Sequence, residues 1–113
     1  MAEFLDEKSL ALLLYMEKHN GKMNQHEVCL ISKEDFSQND QNRYIENLKH
    51  RGLIDEHLLN AVSDGLFGTR SSGCTYSLSL GGESYLQELR RDQANQLLQS
   101  ASDLLNSVSG LKF

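Results

Sequence analysis

The spacing of hydrophobic residues changes twice along this 113-residue chain, and that change limits its fold more than any other feature. Hydrophobic residues recur at helical spacing up to about residue 54, alternate with polar residues over 74–80, and return to helical spacing from about residue 82. Alternation at every second position is typical of a half-buried β-strand. Because a chain of this length has room for one core, the order predicts an α+β fold in which helices pack on a β-hairpin.

The first segment of the chain predicts a buried helix. Its leucines, with Met16, follow helical spacing over about residues 6–19, and Asn20-Gly21 behind them favour a helix end. The next segment, residues 23–36, is less regular. Its hydrophobic residues fit either one or two helical turns or a short strand, since periodicity does not separate the two at this length.

The helix predicted next is the best specified. Ser37 followed by Asp40 resembles a capping box, which marks a helix start. Gly52 stands where a helix end needs a positive φ. We therefore predict a helix over residues 38–51. Its buried face is predicted to hold Tyr44, Ile45 and Leu48.

A β-hairpin is predicted after this helix. Residues 74–80 are predicted to form one strand, and residues 57–63 are predicted to form its antiparallel partner. Between them, residues 64–73 contain three glycines, two serines and Arg70. This composition is typical of a flexible hairpin tip.

The last segment predicts one long helix over residues 82–109. At about 1.5 Å per residue it would run about 40 Å, which exceeds the width of a domain this size. Its second half must therefore fold back at residues 93–96 or pack against another chain. Few charged residues follow Asp92, so solvent exposure of the leucines is unfavourable. We predict dimerisation through Leu97, Leu98, Ala101, Leu104, Leu105, Val108 and Leu111.

Composition argues against several classes of protein. The chain has 11 Lys and Arg against 16 Asp and Glu, a net charge of −5, which disfavours coating nucleic acid or anionic membranes by overall charge. The longest hydrophobic run, residues 10–16, is too short to span a bilayer and lacks the pattern of a signal peptide. Two cysteines, Cys29 and Cys74, cannot make a disulfide framework. We expect a cytoplasmic protein without membrane contact.

Catalytic and metal chemistry are not expected. His26 and Cys29 have an i, i+3 spacing that zinc can use, but no second pair repeats it. The sequence has no nucleophile elbow, phosphate-binding loop or dinucleotide fingerprint. Its carboxylate pairs lie in no context that would separate their pKa values. We therefore expect no enzyme, no cofactor and no bound metal.

Two stretches resemble the winged helix-turn-helix superfamily. Residues 47–54, NLKHRGLI, resemble the end of a recognition helix, and residues 76–86, YSLSLGGESYL, resemble the exit from a wing. Over about residues 9–89 the chain is similar to small winged-helix proteins of phages and prophages, and more loosely to dimeric multidrug-resistance-type regulators. The resemblance implies a winged-helix domain over 1–89, with three helices and a two-stranded wing. A C-terminal helix for dimerisation follows over 90–113.

The outer face of the predicted recognition helix carries polar side chains that suit DNA. Asparagine and arginine can read adenine and guanine in the major groove, whereas Glu46 would repel phosphates unless it accepts from cytosine. The candidates for base contact are Asn39, Asn42, Arg43 and Asn47. The candidates for phosphate contact are Lys49, His50 and Arg70, the last of these in the wing. Without the resemblance, the same face would be interpreted as an ordinary solvent-exposed helix surface.

These features predict a dimeric winged-helix protein that binds duplex DNA and regulates transcription, of phage or prophage type. The alternative is an acidic winged-helix adaptor or inhibitor that works through protein contact with a nucleic-acid enzyme. The negative net charge and the central position of Glu46 on the exposed face favour that alternative.

Overall fold

The computed structural model describes residues 5–19, 23–37, 41–59, 73–108 and 110. Within these ranges the chain forms five helices and a three-stranded antiparallel sheet, which confirms the predicted α+β class. The elements, in chain order, are α1 (Glu7–Lys18), β1 (Met23–Asn24), α2 (Gln25–Ser32), α3 (Arg43–His50), β2 (Ile54–Leu59), β3 (Gly73–Leu78), α4 (Leu80–Arg91) and α5 (Asn95–Ser107). None of the described helices has both the length and the apolar character needed to pass through a bilayer.

Helix α1 lies at the centre of the core. The side chain of Asp6 caps its start by accepting a hydrogen bond of 3.0 Å from the N–H of Ser9. All eight residues from Ser9 to Met16 are buried, because α1 packs against α2, α3, α4, α5 and β3. A helix that is apolar on all sides needs cover of this kind. The helix predicted over about residues 6–19 is confirmed.

The sequence left two alternatives for residues 23–36, a short strand or one or two helical turns. The structure contains both a strand and a helix there. The two residues of β1 pair with β3, and α2 follows directly. Asn24 and Glu27 form a capping box: the N–H of Glu27 donates to Oδ1 of Asn24 at 2.8 Å, and the N–H of Asn24 donates to Oε1 of Glu27 at 3.0 Å. Glu27 also accepts a hydrogen bond from the hydroxyl of Tyr15, so the start of α2 is bound to α1.

The central strand of the sheet is β3, which pairs antiparallel with β1 on one side and with β2 on the other. The predicted hairpin is therefore confirmed. Its first strand begins at Ile54 rather than at residue 57, because the chain enters the sheet directly after the turn at Gly52, where φ is +72°. Cys74 and Tyr76 are buried, as the alternation predicts. Most of the predicted tip lies in residues 60–72, outside the described residues.

Strand β3 ends two residues before the alternation predicts, because Ser79 starts a helix there. Its Oγ accepts from the N–H of Gly82 at 3.1 Å and donates to the carbonyl of Gly52 at 2.6 Å. Leu80, predicted to continue the buried side of the strand, is instead the first residue of α4 and is 82% exposed. A Cβ on Gly82 would lie 2.1 Å from the carbonyl oxygen of Leu53. Glycine therefore allows α4 to lie close to the turn that follows α3.

The prediction of one continuous helix over residues 82–109 is wrong. The chain forms α4 and α5 instead, with Gln93 between them at a φ of +60°. The N–H of Ala94 donates to the carbonyl of Leu89 at 3.0 Å, which closes the turn. Helix α5 folds back onto α1, the other of the two arrangements that the length left open. The hydrophobic spacing is interrupted at this break, since residues 90–96 contain no hydrophobic residue except Ala94, and the alternative of a fold-back at residues 93–96 is confirmed.

This arrangement covers part of the surface predicted for dimerisation. Three of the predicted residues are buried within the chain: Ala101, Leu105 and Val108. Three others are half-buried against the core: Leu97, Leu98 and Leu104. Leu111 lies outside the described residues. The buried residues therefore need no partner chain to cover them. Dimerisation stays a prediction, and the leucines that could still contact a partner chain are the half-buried ones.

Replacing Leu105 with alanine is expected to lower the free energy of unfolding by about 3 kcal/mol, because the lost atoms leave a cavity where α5 meets the core. Leu80→Ala removes the same atoms from an exposed position and should change stability by less than about 0.5 kcal/mol. Urea unfolding followed by circular dichroism measures both. A loss in Leu105→Ala no larger than that in Leu80→Ala would contradict the packing of α5.

Candidate nucleic-acid interface

The start of α3 is built around the side chain of Asn42. Its Oδ1 accepts hydrogen bonds from the N–H groups of Tyr44 (3.0 Å) and Ile45 (3.2 Å), which caps the helix. Its Nδ2 donates to Oγ of Ser32 at 3.2 Å and to the carbonyl of Glu34 at 3.0 Å. Asn42 is 1% exposed. The prediction that Asn42 lies on the outer face and contacts bases is therefore wrong, because its amide is used to join α3 to α2.

The capping box predicted from Ser37 and Asp40 does not start the helix. The N–H of Gln41 donates to Oγ of Ser37 at 3.4 Å, and the N–H of Ser37 donates to the carbonyl of Gln41 at 3.0 Å, so Ser37 closes a loop. Helix α3 begins at Arg43 instead of residue 38. The sequence did contain a signal for a helix start at Arg43. Asn42 stands just before the first hydrophobic residues with helical spacing, and asparagine is a strong N-cap. Asn39 lies outside the described residues, and its base contact stays a prediction.

The outer face of α3 presents a row of polar side chains beside the start of α1. Ile45 and Leu48 are buried, whereas Arg43 and Asn47 are exposed and one helical turn apart. Arg51, one further turn along, donates from Nε to Oδ1 of Asn47 at 3.4 Å. We call Arg43, Asn47 and Arg51 the outer row. Arg51 was not among the sequence candidates, although its spacing of four from Asn47 indicates the same face.

A groove of about 510 Å³ separates the outer row from α1. Besides the outer row, its walls are formed by Tyr44 of α3 and by Leu5, Asp6 and Ser9 at the start of α1. The groove thus brings together two guanidinium groups, an amide and an aromatic ring. The guanidinium groups, the Asn47 amide and the Tyr44 hydroxyl can donate hydrogen bonds to phosphate oxygens or to base edges.

Arg43 is the most exposed of the charged groups in the ion pairs of α3. Its side chain is 72% exposed, and Nη2 lies 3.0 Å from Oε1 of Glu34. The guanidinium carbon lies 5.1 Å from the centre of the Tyr44 ring, and Nη2 donates to the Tyr44 hydroxyl at 3.3 Å. The hydrogen bond with Tyr44 and the charge of Glu34 raise the pKa of Arg43. Such an exposed guanidinium can turn towards an external anion at little cost.

Lys49 is held more tightly than Arg43. Its Nζ lies 3.3 Å from Oε2 of Glu46 and 3.3 Å from Oε1 of Glu56, and its side chain is 34% exposed. Burial lowers the pKa of Lys49, but the hydrogen bonds with the two carboxylates outweigh it and hold the pKa above its ordinary value. Glu46, which the sequence predicts to repel phosphates unless it accepts from cytosine, thus has a cation of its own helix as a partner.

The two remaining phosphate candidates differ in what the structure describes. His50 is exposed near the end of α3, on the side predicted for it. Arg70 lies outside the described residues, and its phosphate contact stays a prediction. The candidates that the structure leaves exposed are therefore Arg43, Asn47 and His50, with Arg51 added, whereas Lys49 is half-buried on the side of α3 that meets β2.

Other reactive groups lie apart from this surface. Burial and the carboxylate of Asp35 raise the pKa of the Cys29 thiol, although a backbone hydrogen bond from Phe36 opposes them. A raised pKa makes the thiol a weaker nucleophile at neutral pH. Among the described residues, no three His, Cys, Asp or Glu side chains come together in a way that could hold a metal ion.

Comparison with known proteins yields no match for this chain among family models, curated proteins or solved structures. The residues and the geometry of α3, its groove and the neighbouring hairpin are therefore what indicates a function.

Asn42→Ala is expected to lower the free energy of unfolding by about 2 kcal/mol, because it removes the cap of α3 and the two hydrogen bonds to Oγ of Ser32 and the carbonyl of Glu34. Asn47→Ala makes the same chemical change on the exposed face and should cost less than about 0.5 kcal/mol. Guanidinium unfolding curves measure the difference. Similar losses in the two variants would contradict the distinct roles of these asparagines.

Proposed function

We propose that this chain is a winged helix-turn-helix protein of phage or prophage type that binds duplex DNA through α3 and regulates transcription in the cytoplasm. The observation that carries the proposal is the orientation of α3: Ile45 and Leu48 anchor one side while Arg43, Asn47 and Arg51 line an open groove on the other. The helices α1, α2 and α3 followed by the hairpin of β2 and β3 agree with the element order that the resemblance implies. Strand β1 adds a third strand to the sheet.

Dimensions and chemistry support entry of α3 into the major groove. An α-helix with its side chains is about 10–12 Å across, which fits the major groove, about 12 Å wide. Arg43 and Asn47 are proposed to contact base edges, as arginine does with guanine and asparagine with adenine. Lys49, His50 and Arg51 are proposed to contact phosphates, together with Arg70 in the wing.

A homodimer would present two copies of α3, one for each half-site of a symmetric DNA sequence. We propose that it forms through the leucines of α5 that are only half-buried: Leu97, Leu98 and Leu104. These residues can bury further surface without disturbing Ala101 and Leu105, which belong to the core of the single chain.

Arg43→Ala is expected to weaken binding to duplex DNA by about tenfold or more, because it removes the exposed guanidinium proposed to contact a base. Fluorescence anisotropy at several salt concentrations measures this. Arg91→Ala is the matched control, since Arg91 is exposed at the far end of α4, about 17 Å along that helix from its start near Gly52. Binding that is insensitive to salt, or equal losses in the two variants, would contradict the proposal.

A second candidate function is protein contact by an acidic adaptor. The ion pairs support it, because Arg43 is paired with Glu34 and Lys49 with two carboxylates, which gives the face of α3 a mixed charge. In this case the partner would be a nucleic-acid enzyme whose basic groove receives the carboxylates.

The two functions predict opposite effects of Glu46→Gln. Removal of this carboxylate should strengthen DNA binding but weaken capture of a basic protein partner. Pull-down from nuclease-treated host extract, compared with recovery of DNA fragments from untreated extract, tests both. A stoichiometric partner that resists nuclease and is lost in Glu46→Gln would favour the adaptor. Defined DNA fragments retained more strongly by the variant would favour the regulator.

A further inference from the structure

An ion pair between Lys49 and Glu56 links α3, the proposed DNA-binding helix, to strand β2 of the sheet. We propose that Glu56 of β2 restrains DNA binding by competing with phosphate for the ammonium group of Lys49. The inference rests on the proposed function of α3 and adds a residue, outside that helix, that sets its affinity. Glu56 acts here as a positioning residue, because it acts on Lys49 and does not itself contact DNA.

The geometry shows Lys49 bound from two directions. Glu46 lies one turn earlier on the same helix, and Glu56 lies on the neighbouring strand, each with an oxygen 3.3 Å from Nζ. An ammonium group has three N–H donors, so two of the three are directed to carboxylates of the same molecule. A phosphate oxygen must displace one of them or use the third donor alone.

Lys49 is the cation to which this competition applies most strongly. Its side chain is 34% exposed and that of Glu56 is 30% exposed, so the surrounding protein restricts both side chains and favours their ion pair. Arg43 also has a carboxylate partner, Glu34, but the Arg43 side chain is 72% exposed and can reach an external anion without crowding. The restraint therefore concerns Lys49 more than Arg43.

The register of β2 explains why Glu56 and not its neighbour meets Lys49. Successive side chains of a strand point to opposite faces of the sheet. Glu56 lies opposite Tyr76, which is buried, and on the same face as the buried Ile54, towards the helices. Asp55 lies opposite Ser77 and on the other face. Since α3 packs against β2, only the face of Glu56 is within reach of Lys49.

Asp55 therefore provides a matched control for Glu56. Both are residues of β2 that carry one negative charge, and they are adjacent in the chain. Asp55→Asn and Glu56→Gln change the net charge equally. An effect of overall charge would appear in both variants, whereas competition for Lys49 would appear in Glu56→Gln alone.

The experiment measures binding of a mixed-sequence DNA duplex by fluorescence anisotropy between about 50 and 200 mM salt. Glu56→Gln is expected to bind about threefold more tightly than Asp55→Asn at the lowest salt concentration. Its dependence on salt should steepen by about one phosphate contact, a slope change of about 0.9 in the logarithmic plot. In the background of Lys49→Met, the gain from Glu56→Gln should disappear, because the residue through which it acts is gone.

The outcomes separate the inference from the proposed function. If the wild type binds DNA and Arg43→Ala weakens it, but Glu56→Gln binds no more tightly than Asp55→Asn, the inference is overturned and DNA binding stands. A gain that persists with Lys49→Met would overturn the inference as well, because Glu56 would then act by direct repulsion of DNA. If neither the wild type nor Glu56→Gln binds, both the inference and the proposed function are overturned.

Discussion

Burial of α1 is the constraint on which the rest of the structure depends. Eight consecutive residues of this helix are shielded from water, so every side of it requires a neighbour. Four helices and a strand supply that cover, and α5 can do so only because the chain reverses at Gln93. With α1 covered on its other sides, α3 packs on it with Ile45 and Leu48 buried, and keeps Arg43 and Asn47 exposed.

The short helix α3 is fixed at both ends by groups outside it. At its start, the amide of Asn42 joins the helix to Ser32 and Glu34. At its end, the turn at Gly52 is tied to Ser79, and α4 lies close to the same turn because Gly82 has no side chain. Eight residues alone would make a marginal helix, so these external bonds account for the definite orientation of its outer row.

Charge balance on α3 has a consequence for any DNA-binding function. Contacts to phosphate strengthen binding to every sequence alike, whereas contacts to base edges distinguish one sequence from another. In the proposed function, the carboxylates placed beside Lys49 would weaken the first kind of contact, and Arg43 and Asn47 would make the second. A chain with a net charge of −5 can thus favour particular sites over bulk DNA, provided that its base contacts are good.

Local patterns in the sequence were sufficient to predict α1, the hairpin, the helix end at Gly52 and the outward position of Arg43 and Asn47, because each depends on periodicity or on a single turn. Tertiary structure decided the rest. Asn42 could cap α3 and leave the outer face only because Ser32 and Glu34 lie beside it. The leucines of α5 found cover on α1, and Glu56 reached Lys49 across the gap between strand and helix. Such pairings join residues that do not belong to the same helix or strand, and hydrophobic spacing within one element does not show which side chain outside that element a residue will contact.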